Sequence, residues 1–139
     1  MAVYVLEPEV AGGVGEGSVV DWSVNPPRVT HLEYEFAGWL GDDIVESFPC
    51  YVVTTQLGTA LKGAGLSGFQ LDDVVVTTKS EFPEHHPEPL PEFAWLRVVG
   101  SRGADDLWIG DDRRLTVNDR AMAVFRQFSI GQCLVAEVD

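Results

Sequence analysis

Residues 50–74 read CYVVTTQLGTALKGAGLSGFQLDDV, and the reading of this stretch decides the fold. Tyr51-Val52-Val53 is a short aromatic and β-branched run, the composition of a strand. Thr54 or Thr55 then offers a hydroxyl that can cap a helix. Leu57, Ala60, Leu61 and Ala64 recur at three- and four-residue spacing, which places them on one helical face. Gly63 and Gly65 end the helix, because glycine adopts a left-handed cap without steric cost. Phe69 and Leu71 alternate into Val74-Val75-Val76, a second strand. The unit is strand, helix, strand.

A shift of 64 residues carries this unit onto the C-terminal stretch. Val53 falls on Val117, Thr54 on Asn118, Leu57 on Ala121, Leu61 on Phe125 and Leu71 on Val135. Apolar positions stay apolar, and the capping position stays a capping residue. Upstream, Gly41-Asp42-Asp43-Ile44 resembles Ala104-Asp105-Asp106-Leu107 at a shift of 63. The pattern predicts an internal duplication: a first repeat over 38–76, a proline-rich acidic connector over 77–92 and a second repeat over 93–139. The expected fold class is α+β, one domain spanning 1–139, with a mixed β-sheet and two short helices of about ten residues each.

The chain has 139 residues, 45% of them apolar, which is the length and composition of one domain with a real core. No apolar run reaches the length of a membrane span. The opening MAVYVLEPEV has no basic region and carries Glu7 and Glu9, so it does not read as a secretory signal. The expected compartment is the cytoplasm. Cys50 and Cys133 sit in apolar contexts and read as small core residues rather than a disulfide or a metal pair.

The formal net charge is -13, and residues 1–50 hold nine acidic side chains against one basic one, Arg28. Phosphate backbones repel such a chain, which excludes nucleic acid as the expected partner. A basic protein is favoured instead, through electrostatic steering of the encounter.

The remaining segments follow in order. Val3 to Leu6 reads as a strand, and Gly12, Gly13, Gly15 and Gly17 as a surface loop without the Lys-Ser/Thr ending of a phosphate-binding loop. Val19 to Val24 is strand-like until Asn25-Pro26-Pro27 breaks it. His31 to Phe36 alternates, with Leu32, Tyr34 and Phe36 on the apolar side. Asp42-Asp43 is expected to cap a single helical turn through Ile44, Val45 and Ser47, stopped by Pro49. Phe93 to Val99 resumes as a strand containing Trp95, and Asp105 to Asp112 reads as an acidic loop carrying Trp108.

Several groups invite a chemical reading. His85-His86, flanked by Glu84 and Glu88, are metal-ligating residue types, but adjacent histidines on an extended chain point apart, and no HExxH or cysteine-pair signature accompanies them. The pairs Asp42-Asp43, Asp72-Asp73, Asp105-Asp106 and Asp111-Asp112 lack the alternating ligands, glycine and distal Glu of a calcium loop and read as caps, turns and surface. Gly65-Leu66-Ser67-Gly68 falls short of GxSxG and follows a helix rather than a strand. No catalytic constellation and no cofactor motif emerges. The residues expected to bind a partner are Trp39, Asp42, Asp43, Asp105, Asp106 and Trp108. If both tryptophans are exposed at equivalent turns, they form a shared acidic-aromatic face, with carboxylates meeting basic groups and indoles supplying anchor area.

The stretches GWLGDDIVESFPCYVVTTQLGTALKGAGLSGFQLDDV, from Gly38, and LPEFAWLRVVGSRGADDLWIGDDRRLTVNDRAMAVFRQFSIGQCLVAEV, from Leu90, together resemble a bacterial domain first catalogued as of unknown function. That domain was later grouped among immunity proteins of polymorphic toxin systems, with myxobacterial founding members. The matching features are helix starts at Val53-Thr54-Thr55-Gln56-Leu57 and Val117-Asn118-Asp119-Arg120-Ala121, and a helix ending near Gly65-Leu66. The resemblance implies inhibitory binding: a cytoplasmic, non-enzymatic protein that occludes a cognate protein toxin. Two other classes remain open. One is a small metal-dependent hydrolase or transferase using His85 and His86; the other is a non-catalytic dimer that regulates or builds structure.

Overall fold

The computed structural model describes residues 2–82 and 88–138, so His85 and His86 lie outside the described residues. Its first strands are β1 (Val3–Glu7), β2 (Gly12–Val14), β3 (Val19–Asp21), β4 (Arg28–His31), β5 (Glu33–Phe36), β6 (Ile44–Ser47) and β7 (Cys50–Thr54). After α1 (Thr55–Gly63) come β8 (Phe69–Asp72), β9 (Val75–Thr78), β10 (Phe93–Val98), β11 (Leu107–Ile109) and β12 (Leu115–Asn118). The chain then forms α2 (Asp119–Phe125) and β13 (Leu134–Val138). Among the described residues the architecture is α+β, with strands in four sheets and two short helices.

Both helices begin where their caps predict. The Thr54 hydroxyl accepts from the Leu57 N–H, and the Asn118 side chain accepts from the Ala121 N–H, each satisfying an otherwise unpaired donor of the first turn. Leu57 and Leu61 of α1 and Ala121, Met122, Val124 and Phe125 of α2 face the interior. Ala64, expected on the apolar face, is exposed as the C-cap of α1, and Gly65 follows it with a φ of +71°.

The two four-stranded sheets are built to one plan. Their orders are β6-β7-β10-β8 and β11-β12-β1-β13. In each, a hairpin leads into a helix, which leads to the far edge strand. The third position is filled by a strand from outside that run, antiparallel to both neighbours: β10 between β7 and β8, and β1 between β12 and β13.

Strand β7 is buried at all five positions because its sheet is covered on both faces. Tyr51 and Val53 join Ile44, Leu96, the helices and the β11-β12-β1-β13 sheet in one core. Cys50 and Val52 join Trp95, Phe93 and the β5 side chains Tyr34 and Phe36 in a second core on the other face. A three-stranded sheet, β2-β5-β9, closes that second face. The Tyr34 hydroxyl is satisfied inside it, accepting from Ala11 N–H at 3.1 Å and donating to the Glu46 carbonyl at 2.9 Å. Each fully buried Leu, Val or Phe contributes about 1.5–3 kcal/mol, so these two clusters carry most of the driving force. Cys50 and Cys133 are free and buried, as expected of core thiols; burial pushes both up to about 12, so neither is a reactive thiolate.

Five segments differ from the expectations above. The glycine-rich run is not a loop throughout, since Gly12–Val14 pairs antiparallel with β5. There a glycine is needed, because a Cβ on Gly12 would run into the Glu35 carbonyl. Asp42-Asp43 does not cap a helical turn; Ile44 and Val45 pair with Val53 and Val52 as a strand, which their β-branched side chains favour. Phe69 to Val76 is two strands rather than one: β8 joins β10, and after Asp73-Val74 β9 joins β5 in the only parallel strand pairing among the described strands. Leu107–Ile109, inside the expected acidic loop, is an edge strand on β12. The expected connector also begins later, because Thr77 and Thr78 belong to β9 and Phe82 is buried in the second core.

Gly12→Ala is expected to lower stability by about 1–3 kcal/mol through this backbone collision. Gly13→Ala, where a Cβ meets nothing, should stay within about 0.5 kcal/mol. Urea denaturation of the two variants checks the contrast.

Candidate functional site

The six residues expected to meet a partner are mostly engaged inside the protein. Asp43 is a clasp. Its carboxylate accepts from the Thr54 hydroxyl at 2.7 Å and from the Ser129 N–H at 2.8 Å. Its own N–H donates to the Ser129 carbonyl, and its carbonyl accepts from Thr54 N–H. Asp106 repeats the pattern: its carboxylate accepts from the Asn118 amide at 2.7 Å and from Ser67 N–H at 2.9 Å. Its N–H donates to the Ser67 carbonyl, and its carbonyl accepts from Asn118 N–H. Each aspartate therefore holds the cap of the helix that follows it and the loop that follows the other helix.

The neighbouring residues are similarly occupied. Asp42 is buried and accepts from Gln132 N–H at 2.8 Å, while its carbonyl accepts from the Trp39 indole at 2.8 Å. Burial pushes the Asp42 carboxyl above its ordinary range, against the Gln132 bond. Burial also works against Asp106, but the Asn118 and Ser67 donors outweigh it and hold that carboxyl low. Asp105 accepts from Ser101 N–H at 2.7 Å. Trp39 is half-buried, edge-on to Phe93 with ring centroids 5.9 Å apart. Trp108 is only 6% exposed. The shared acidic-aromatic face therefore does not form: Trp108 is buried, and the paired acids spend their oxygens on backbone N–H groups and caps.

Two other surfaces are open. The first is the outer face of β1 and β13. Val3 pairs with Val138, Val5 with Ala136 and Glu7 with Leu134, and directly opposed residues share a face. Tyr4 and Leu6 point the other way, into the core. Leu134 is 67% exposed and Val138 39%. The corresponding face of the β6-β7-β10-β8 sheet is the one that β2-β5-β9 covers.

The second is a cleft of about 270 Å³ where three sheets meet. Its walls come from the β6–β7 turn at Phe48-Pro49, the end of β10, the start of β4 and the β11–β12 turn. Arg28, Arg97, Arg113 and Glu46 line it with Trp95 and Phe48. The Arg97 guanidinium lies 4.3 Å from the Trp95 ring centre and bonds to Asp72 at 3.1 Å. Burial, and then Glu7, push Glu46 up to about 6, against the pull of Arg114.

Neither surface emerges from the sequence reading. Arg28, Arg97 and Arg113 are far apart in the chain, and the one available signal was the scarcity of basic groups that makes any meeting of three notable. Among the described residues no group of three or more His, Cys, Asp or Glu could hold a metal ion, and no helix is long and apolar enough to cross a membrane. Neither the protein-family models nor the curated proteins compared with this chain match it.

Asp106→Ala is expected to cost about 1–3 kcal/mol, since it strands two part-buried donors, Ser67 N–H and the Asn118 amide, that a carboxylate satisfied. Asp105→Ala should cost under about 1 kcal/mol, having one exposed bond to lose. Denaturation midpoints separate these outcomes from a purely partner-binding role, which would leave both unchanged. Glu46 gives a pH test. Its raised proton affinity makes the stability linked to it full below the ordinary carboxylate range and lost as pH rises through about 6. Glu46→Gln should raise stability by about 1 kcal/mol at about pH 7.5, allowing for partial exposure, and change little at about pH 4. Urea titrations at the two pH values measure it.

Proposed function

We propose that the chain is an acidic, non-catalytic immunity-type protein that binds and neutralises a cognate bacterial toxin in the cytoplasm. One observation carries this reading. The apolar row Val3, Val5, Leu134, Ala136 and Val138 lies on the face whose counterpart in the sister sheet is covered by three strands. Leu134, Ala136 and Val138 of this row are exposed on the edge strand while Val3 and Val5 are half-buried, and an exposed apolar edge of this kind serves as a protein-interaction surface. The net charge of -13 selects a basic partner and speeds its arrival. The same reading treats the two strand-helix-strand units as products of a duplication, supported by their shared sheet order and by the matching clasps of Asp43 and Asp106. In it, the second sheet keeps for the partner the face that the first covers with its own chain.

The test is co-expression with the neighbouring reading frame, scoring growth rescue and co-purification. Leu134→Asp with Val138→Asp should weaken binding at least about tenfold and abolish rescue, with the denaturation midpoint unchanged. Undiminished binding would remove the sheet face from the proposal, and turnover of a substrate by the isolated chain would remove the whole reading.

A further inference from the structure

The cleft where three sheets meet has the wrong charge for this protein. The chain holds 22 acidic and nine basic side chains, yet three of the nine, Arg28, Arg97 and Arg113, line one small cavity beside a single acid, Glu46. They arrive from three different sheets or their turns: β4, β10 and the β11–β12 turn. Arg97 is already engaged by Trp95 and Asp72. Arg28 and Arg113 have no carboxylate within ion-pair distance among the described residues. Asp21 lies opposite Arg28 across the hairpin, beyond ion-pair distance, though after the Ser23 bonds the guanidinium helps to hold its carboxyl low. Two exposed guanidiniums at the mouth of an apolar cavity, in so acidic a chain, concentrate positive charge where an anion could be met.

The rest of the lining is apolar. Phe48 is half exposed at the rim, Trp95 forms part of the wall, and Leu96, Val98 and Ile109 complete it. Inorganic phosphate would leave that surface wet. At about 270 Å³ the cavity is near the small end of ligand sites, sized for one ring or branched chain.

We propose that this cleft is a binding site for a small apolar carboxylate, whose ring or branched body lies against Phe48, Trp95 and Ile109 and whose carboxylate faces Arg28 and Arg113. The same chemistry is presented by a free aryl or branched-chain acid and by the C-terminal residue of a peptide. The site is separate from the β1–β13 face and does not depend on a toxin partner.

The test uses N-acetyl-phenylalanine, its uncharged amide, and a pentapeptide ending in phenylalanine, added to the whole chain and followed by amide chemical shifts. Saturable shifts at Cys50–Tyr51 and Val98–Gly100 with the acid, at least about tenfold weaker with the amide, are expected. A peptide that binds at least about tenfold more tightly than the free acid identifies a chain terminus as the ligand; equal affinity identifies a small molecule. Arg113 sits at a φ of +67°, a conformation glycine adopts without strain, so Arg113→Gly removes the cation while keeping the turn. It should weaken the acid about fivefold or more and leave the amide unaffected. Acid and amide binding alike, shifts that map elsewhere, or an Arg113→Gly chain that binds the acid as well as the parent overturns the proposal.

Discussion

Two carboxylates, Asp43 and Asp106, hold the protein's halves together. Each accepts from the residue that caps one helix and from the loop that leaves the other, so neither helix is anchored by its own unit alone. The geometry explains why acids stand here. A carboxylate offers two oxygens and no donor, and the positions around it present only donors: a hydroxyl or amide on one side, a backbone N–H on the other. An asparagine would turn one of those contacts into donor against donor. The helix ends that the clasps align bring Leu57, Leu61, Met122 and Phe125 into one cluster, and the shared core follows from that alignment.

Much of this was legible before any coordinate. The helices were visible because their caps and apolar spacing agree, and Leu32, Tyr34 and Phe36 were visible because a strand with one buried face alternates. The shared spacing of the two strand-helix-strand stretches, down to the acidic pairs, was visible in the sequence, though not what those pairs do. An aspartate that accepts from a loop 86 residues away looks the same in sequence as one that faces water. Strand β6 was misread for a related reason. Two aspartates ahead of an apolar run are the signature of a capped turn, and only pairing with β7 makes the run extended. The sheet change between β8 and β9 is equally silent, since two strands either side of Asp73-Val74 look like one interrupted strand.

The open surfaces were the least legible part, and the cause is distance along the chain. The apolar row on β1 and β13 joins residues near opposite ends of the sequence, and the arginine cleft joins three sheets. Charge and aromatic placement offered an acidic-aromatic face, on condition that Trp39 and Trp108 were both exposed. Instead, the acids nearest Trp39 and Trp108 are bound up in internal hydrogen bonds, and Trp108 is buried. The aliphatic row and a small island of positive charge lie on the surface instead, alongside exposed side chains such as Trp22 and Leu40.

The placement of β1 between β12 and β13 has a kinetic meaning. This strand leaves the ribosome long before its partners, since both of its neighbours follow more than a hundred residues later. It waits unpaired while the first sheet, including its own borrowed strand β10, can already close. The slot it fills in the last step is a ready acceptor for any strand with the same alternation. Two nascent chains at high concentration therefore have a direct route to trading their β1 strands, and the intertwined dimer would keep the β1–β12 and β1–β13 pairings of the monomer.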